Sequence, residues 1–189
     1  VYGSSKQMVE EMIEWYWKIY GIRSVSLRYF NAAGAMLDGS LGEAHTRESH
    51  IIPLALEVAS GKREEFKLNG NDYDTPDGTC IRDYIHIVDL ADAHIKAMEY
   101  LAKGQRSVAL NLGVGKGYSN LEVLDTVERV TGKKVMRSFG PRRPGDPAKL
   151  WADNQKAKKD LGWEPKYPDL ETIIETAWKW HQKSSKWDT

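Results

Sequence analysis

Only one cysteine, Cys80, occurs in 189 residues. That excludes a disulfide within the chain and is the usage of a reducing compartment, so a cytoplasmic location is expected. Neither sign of charge is in excess, since lysine plus arginine and aspartate plus glutamate both number 27. The chain therefore has no basic field to hold a nucleic-acid backbone or an anionic membrane surface, and neither is expected as a partner. Single phosphates need only one or two local arginines and remain open. No stretch reaches the ~20 apolar residues of a membrane span. His45, His86, His94 and His181 lack ligand spacing with acids or with Cys80, so no metal site is expected.

What is there is the composition of a globular protein, 41% hydrophobic and 29% charged, at a length that can bury a sizeable core. The first residue is Val1, inside a helical pattern, so an amino-terminal portion is expected to be missing. From Gln7 to Tyr20, Met8, Met12, Trp15 and Ile19 form one apolar stripe and Val9, Ile13, Tyr16 and Tyr20 another. Such a helix is expected to be buried on two sides, one against a sheet and one against a second subunit. Gly21 suits its left-handed stop.

Ser24 to Phe30 reads as a parallel strand, and Asn31 to Ser49 as a functional loop. A helix follows from His50 to Ser60, then short strands over Phe66–Leu68 and Tyr84–Ile87. Asp89 suits the cap of a helix ending near Gly104, and Ser107 to Leu112 is strand-like. Ser119 and Glu122 make a capping box ahead of a helix stopped at Gly132. Val135 to Phe139 is a strand and Pro141 to Pro147 a rigid loop, with two helices after it, near 154–161 and 169–182. Strands alternating with helices make the class α/β. Seven tryptophans, four of them from Trp163 onward to Trp187, are read as core and packing residues.

Tyr2 and Lys6 share a helix face, with Cβ atoms roughly 5–6 Å apart. A phenol is a poor base at neutral pH, but a neighbouring ammonium favours its ionised form. So tuned, it can take a proton from a sugar hydroxyl while hydride leaves the same carbon. Alone, this spacing more often marks a solvent-facing pair. Its company changes the reading: Tyr-Gly-Ser-Ser-Lys at 2–6, Leu-Arg-Tyr-Phe-Asn-Ala-Ala-Gly-Ala at 27–35, Asp-Gly-Thr-Cys-Ile-Arg-Asp-Tyr-Ile-His-Ile at 77–87, and Pro-Arg-Arg-Pro-Gly-Asp at 141–146. In this order they resemble the UDP-glucose 4-epimerase family of the extended short-chain dehydrogenase/reductase class, over essentially the whole chain.

The resemblance implies the carboxyl-terminal part of an NAD-binding Rossmann-type domain, at 1–49 and 88–113. It is interleaved with a smaller mixed α/β substrate domain, at 50–87 and 114–189. It implies NAD as bound cofactor, a UDP-sugar substrate, UDP-galactose to UDP-glucose interconversion through a 4-keto sugar, and a homodimer through helix 7–20. Tyr2 would be the acid/base on the 4-hydroxyl, and Lys6 would hold the nicotinamide ribose, with Tyr29 and Phe30 against the nicotinamide. Asn31 would bond the sugar nucleotide, Arg82 and Arg143 its diphosphate, and Asp146 the uridine ribose. His50 and Ile51 stand near the diphosphate, at a helix start whose amides favour anions. Tyr84, at strand spacing from Arg82, lines the site or packs as a core tyrosine.

Departures accompany the likeness. Lys67, Leu68 and Asn69 match the uracil-contacting stretch, but Asn69 stands where the family often has an aromatic and cannot stack comparably. Leu150, at the position that influences room for an N-acetyl group, leaves hexose and N-acetylhexosamine both open. The Gly-rich fingerprint for the pyrophosphate is absent. Gly113-Val114-Gly115-Lys116-Gly117 does not match it and reads as a loop whose glycines supply positive φ. By itself the chain is therefore expected to be inactive. Two other readings stay open: a sugar-nucleotide dehydratase, decarboxylase or pentose epimerase on the same fold, and a non-catalytic binding piece.

Overall fold

A computed structural model describes residues 2–184, so the readings that fall on Val1 and Trp187 lie outside the described residues. Helix α1 (Tyr2–Tyr20) stops at Gly21, whose φ of 68° suits the left-handed region and whose N–H reaches Trp17 O at 2.9 Å. Strand β1 (Val25–Tyr29) continues through Phe30 into β2 (Asn31–Ala33), the start of the segment read above as loop. Helix α2 (Ile51–Ala59) and β3 (Phe66–Asn69) come next, then two very short strands, β4 (Ile81–Arg82) and β5 (Tyr84–His86). Helix α3 (Ile87–Ala102) leads to β6 (Val108–Leu112) and β7 (Tyr118–Ser119). Helix α4 (Asn120–Thr131), β8 (Arg137–Gly140), β9 (Lys149–Leu150), α5 (Gln155–Leu161) and α6 (Leu170–Ser184) complete the order.

One extended run changes partners halfway. β1 pairs in parallel with β6, Val25 opposite Val108, until the Phe30 amide bonds Leu112 O at 3.0 Å. From Asn31 the same run pairs in parallel with β5, Asn31 opposite Tyr84. β3 lies parallel to β8, and β4 sits between β7 and β9. Parallel pairs joined through helices are the α/β architecture expected from the alternation of strands and helices.

Two apolar clusters hold these elements. Ile52, Leu56, Leu68, Tyr84, Val123, Leu124, Ile173 and Ile174 bring α2, α4 and α6 onto β3 and β5. Ile85, Ala93, Leu110, Leu112, Ala157 and Trp163 bring α3 and α5 onto β6. The expected capping box is present, Ser119 and Glu122 each bonding the other's amide, and Ser119→Ala would cost about 1 kcal/mol.

Three expectations are corrected. Helix α1 has no buried residue, because its own chain meets it chiefly through the Glu10–Arg28 ion pair to β1. Met8, Met12, Trp15, Ile19 and Tyr20 are exposed. Among the described tryptophans only Trp163 is fully buried in the core, while Trp15 and Trp151 are exposed. And Asp89 does not cap α3. His86 does so, its Nδ1 accepting the Val88 N–H at 3.1 Å, while the Asp89 carboxylate accepts the amides of Lys166 and Tyr167 at 2.9 Å each.

That bond places the His86 proton on Nε2, which donates to Thr176 Oγ1 at 3.1 Å on α6. Burial pushes the imidazole below its ordinary value of 6.5, although the Asp89 and Asp169 carboxylates oppose this. A neutral buried histidine stabilises the fold fully above its unfolded value, and that stability declines as pH falls from there towards the depressed folded value. Thermal melting followed between about pH 7.5 and 5.5 is expected to fall more steeply for the native protein than for His86→Asn. Parallel slopes would show that His86 does not carry this dependence. No helix of the described residues is long and apolar enough to cross a membrane.

Candidate active site

Residues of β2, β5, α2 and α6 enclose a cavity of about 90 Å³. Asn31 and Ala32 of β2, Tyr84 of β5, His50 and Ile51 at the start of α2, and Trp180 of α6 are among its lining. Four residues singled out from the sequence, Asn31, His50, Ile51 and Tyr84, thus line one cavity. The parallel β2–β5 pair is what brings Asn31 beside Tyr84.

Tyr84 is only 3% exposed and belongs to the apolar core as well as to the cavity wall. Burial drives its phenol far above the ordinary range, opposed in part by Arg82. It therefore stays protonated and can position a ligand, but it is no base.

Asn31 Nδ2 donates to the carbonyl of Asp83 at 2.6 Å. The next residue back, Arg82, sends Nη2 to within 3.5 Å of Asp146 Oδ1 and donates from Nη1 to Ile81 O at 2.8 Å. Arg82 is the less exposed partner, at 14% against 35% for Asp146, so the pair is half-sheltered rather than on the open surface. β9 sets Leu150 opposite Arg82, with Leu150 exposed. On the other side, β3 sets Asn69 opposite Gly140, directly before the 141–146 loop. Lys67 packs its Cε close over Gly140, and Leu68 is buried in the core. The Pro-rich loop therefore runs from the Asn69 edge to the Arg82 edge. It carries Arg143, whose carbonyl accepts the Asp146 amide at 3.2 Å and whose side chain is exposed.

Tyr2 and Lys6 lie at the start of α1. The Lys6 ammonium sits 5.3 Å from the Tyr2 ring centre, and Tyr2 is 77% exposed. Tyr29 is also exposed, at the carboxyl end of β1, the end at which open parallel sheets bind ligands. Neither residue of the Tyr2–Lys6 pair is among the cavity lining, and nor are Arg82 and Arg143. Two groups of expected site residues thus stand apart in this chain: Tyr2, Lys6 and Tyr29 on an open face, and the Asn31–Arg82–Asp146 group beside the cavity.

The residue that organises the second group was missed in the sequence. Asp83 is fully buried and its carboxylate accepts the amides of Val114 (2.9 Å), Gly115 (3.0 Å) and Ala152 (3.1 Å). Burial raises its carboxyl above the usual carboxylate range, outweighing the pull of these amides. It breaks the Arg82–Tyr84 run between two sheets and ties both to the 113–115 loop. A Cβ on Gly113 would lie 2.5 Å from Asp83 Oδ2, and one on Gly117 2.3 Å from Ile81 Cγ2. Close approach explains these two glycines, and only Gly115, with φ 81°, supplies the positive φ expected of all three. A carboxylate behind Gly113 also makes this loop unsuited to a pyrophosphate.

His50 differs from expectation too. Its Nδ1 turns towards carboxylates, 2.7 Å from Glu43 Oε1 and 2.9 Å from Glu48 Oε1, and it makes no side-chain cap on α2. His45 Nδ1 lies 2.9 Å from the same Glu43 oxygen. Burial raises the Glu48 carboxyl, but the amides of His50 and Ser49 outweigh it and hold the group below its usual range.

The family model described as GDP-mannose 4,6 dehydratase matches residues 1–176. The chain is 52% identical to the UDP-glucose 4-epimerase of Lacticaseibacillus casei over 181 residues, 96% of this chain and 55% of that protein. A crystal structure of UDP-glucose 4-epimerase from Brucella ovis in complex with NAD superposes with a TM-score of 0.90 at 48% identity, covering 94% of this chain and 55% of that one. The UDP-glucose 4-epimerase of Bifidobacterium longum in complex with NAD+ and UDP gives 0.90 at 38% identity, covering 97% and 55%. The chain spans about half the length of the curated relatives it matches.

Proposed function

The chain belongs to the GDP-mannose 4,6 dehydratase family of the extended short-chain dehydrogenases, and from that premise we propose that it forms the sugar-nucleotide half of a UDP-hexose 4-epimerase. The observation that carries this reading is the run of contacts from Asn31 through the Asp83 carbonyl to the Arg82–Asp146 pair beside one cavity. Arg82 and Arg143 would clamp the diphosphate, for which a guanidinium fork suits better than an ammonium. Asp146 would accept from the ribose hydroxyls, and Asn31 would orient the sugar end. Lys67, Leu68 and Asn69 would form the base end, with His50, Ile51 and Tyr84 lining the cavity beside Asn31.

The residues present fit the nicotinamide end of NAD: an exposed tyrosine at the carboxyl end of a parallel strand, and a phenol beside an ammonium. Bound there, NAD would accept hydride from the sugar C4 and return it. Tyr2 would remove the 4-hydroxyl proton and give it back, Lys6 would favour the ionised phenol and hold the ribose, and Tyr29 and Phe30 would bound the ring. The exposed stripes of α1 support a homodimer through residues 7–20 of the complete enzyme, since apolar area of that extent marks an interface. The lone cysteine supports a cytoplasmic enzyme, and the substrate pair a place in galactose use.

The complete enzyme is expected to convert UDP-galactose to UDP-glucose, read by chromatography of the two sugars at equilibrium. The 189-residue chain alone is expected to give no turnover, because the 113–117 loop supplies no cradle for a dinucleotide. Failure of the complete enzyme with either hexose would overturn the proposal, and turnover by the chain alone would overturn the second expectation. Membership of a family named for a dehydratase favours dehydration of a nucleotide sugar as the second reading. Its mark would be net release of a keto-sugar.

A further inference from the structure

Beyond this reading, and independent of it, the 43–50 segment brings four metal-ligand side chains to one point. The ligand atoms of Glu43, His45, Glu48 and His50 all lie within 4.8 Å of one another. The close nitrogen–oxygen gaps are 2.7 and 2.9 Å to His50, and 2.9 and 3.7 Å to His45. Ligands about 2.0–2.1 Å from a tetrahedral zinc ion stand about 3.3 Å apart along each edge. These four gaps straddle that value and the remaining ligand pairs lie within 4.8 Å, so shifts of up to about 1 Å per side chain would seat the ion.

The chemistry of the set agrees. Two imidazoles and two carboxylates suit a borderline cation such as zinc better than calcium or magnesium, which take oxygen alone. Two carboxylates aimed at one point repel each other unless a cation lies between them, and a divalent ion leaves the set neutral. The acids are also held in place. Glu48 Oε1 accepts the amides of Ser49 (2.6 Å) and His50 (2.7 Å), and the Glu43 carbonyl accepts Trp180 Nε1 at 2.7 Å. The glutamates are the sheltered members, with side-chain exposures of 25% and 10%, while both histidines are more than half exposed, which leaves a path for the ion.

We propose that Glu43, His45, Glu48 and His50 form a zinc site that clips the 43–50 segment onto the amino end of α2. Because Glu43 and His50 also line the cavity, the ion would set the position of that wall. The whole protein, stripped with a chelator, is titrated with Zn2+ by calorimetry and with Co2+ by visible absorption. One ion per chain is expected, with the intense visible bands of tetrahedral Co2+, bleached by added Zn2+. The double variant His45→Ala/His50→Ala is expected to bind at least roughly 100-fold more weakly, since even outer partners of metal ligands cost 10–100-fold.

Should the double variant fail to fold, His45→Ala decides alone, as its side chain is exposed and packs little of the core. Zinc should then raise the melting temperature of the native protein and not of this variant. Absence of stoichiometric binding, a weak octahedral Co2+ spectrum, or equal affinity in native protein and variant would each overturn the proposal and leave the cluster as histidine–glutamate ion pairs.

Discussion

Tyr2→Phe in the complete enzyme is expected to lower kcat for UDP-galactose by about 10³-fold, with KM changed by less than about threefold. In the proposed mechanism the Tyr2 phenol would carry the proton of the sugar hydroxyl, and phenylalanine removes that oxygen alone. Positioned acid–base groups contribute about 10²–10⁴-fold, and the middle of that range applies where hydride loss cannot proceed without proton loss. Tyr2 is exposed on α1, so the loss should come without a change in melting temperature. In the proposed arrangement Arg82, Arg143 and Asn31 would hold the substrate, so binding should persist. Steady-state kinetics on both variant and native enzyme, with a melting curve for each, would check this. Activity within tenfold of native would remove Tyr2 from the chemistry.

Asp83→Ala is expected to destabilise the protein by about 3–5 kcal/mol, because the buried amides of Val114, Gly115 and Ala152 lose their common acceptor. For a chain of this size that is a fall of roughly 10 °C in Tm. Asp83→Asn keeps one acceptor oxygen and should fall about half as far. The alanine variant should also weaken sugar-nucleotide binding, since the carboxylate holds the turn between Arg82 and Tyr84. Calorimetric melting of the three proteins checks the first point, and equal Tm for all three would contradict it.

Much of the frame was legible because it is written locally. The Ser119–Glu122 capping box needs residues three apart, and the glycine stops at Gly21 and Gly132 need only the left-handed region. The apolar, β-rich runs at 24–30 and 107–112 matched β1 and β6 to within a residue at each end. What was not legible depends on distant partners. Strands β4, β7 and β9 have two residues each and exist through one another, which no periodicity of two residues can signal.

Aspartates behave in the same way. Asp83 bonds amides 31, 32 and 69 residues away, and Asp89 bonds amides 77 and 78 away. Asp89 was read as a helix cap because an aspartate before an apolar run has that local meaning, and His86 took the role instead. The 43–50 cluster escaped because its members are spaced by two, three and two residues in a loop, where no helix or hairpin geometry predicts convergence. The apolar stripes of α1 were read correctly as stripes.

The site residues divide similarly. Asn31 and Tyr84 were named from motifs and His50 and Ile51 from their place at a helix start; parallel pairing of β2 with β5 sets Asn31 beside Tyr84, and all four line one cavity. The ion pair of Arg82 with Asp146 joins motifs 64 residues apart in sequence, since β9 lies against β4. Tyr2 and Lys6 share the helix face their spacing required.

The central claim is that one sugar carbon loses and regains its hydrogen on a half-site built from these residues. UDP-galactose carrying deuterium at C4, turned over by the complete enzyme, tests it most directly. UDP-glucose with the label still at C4 is the predicted product. Label lost to water, or found at C6 of a dehydrated sugar, would contradict the account.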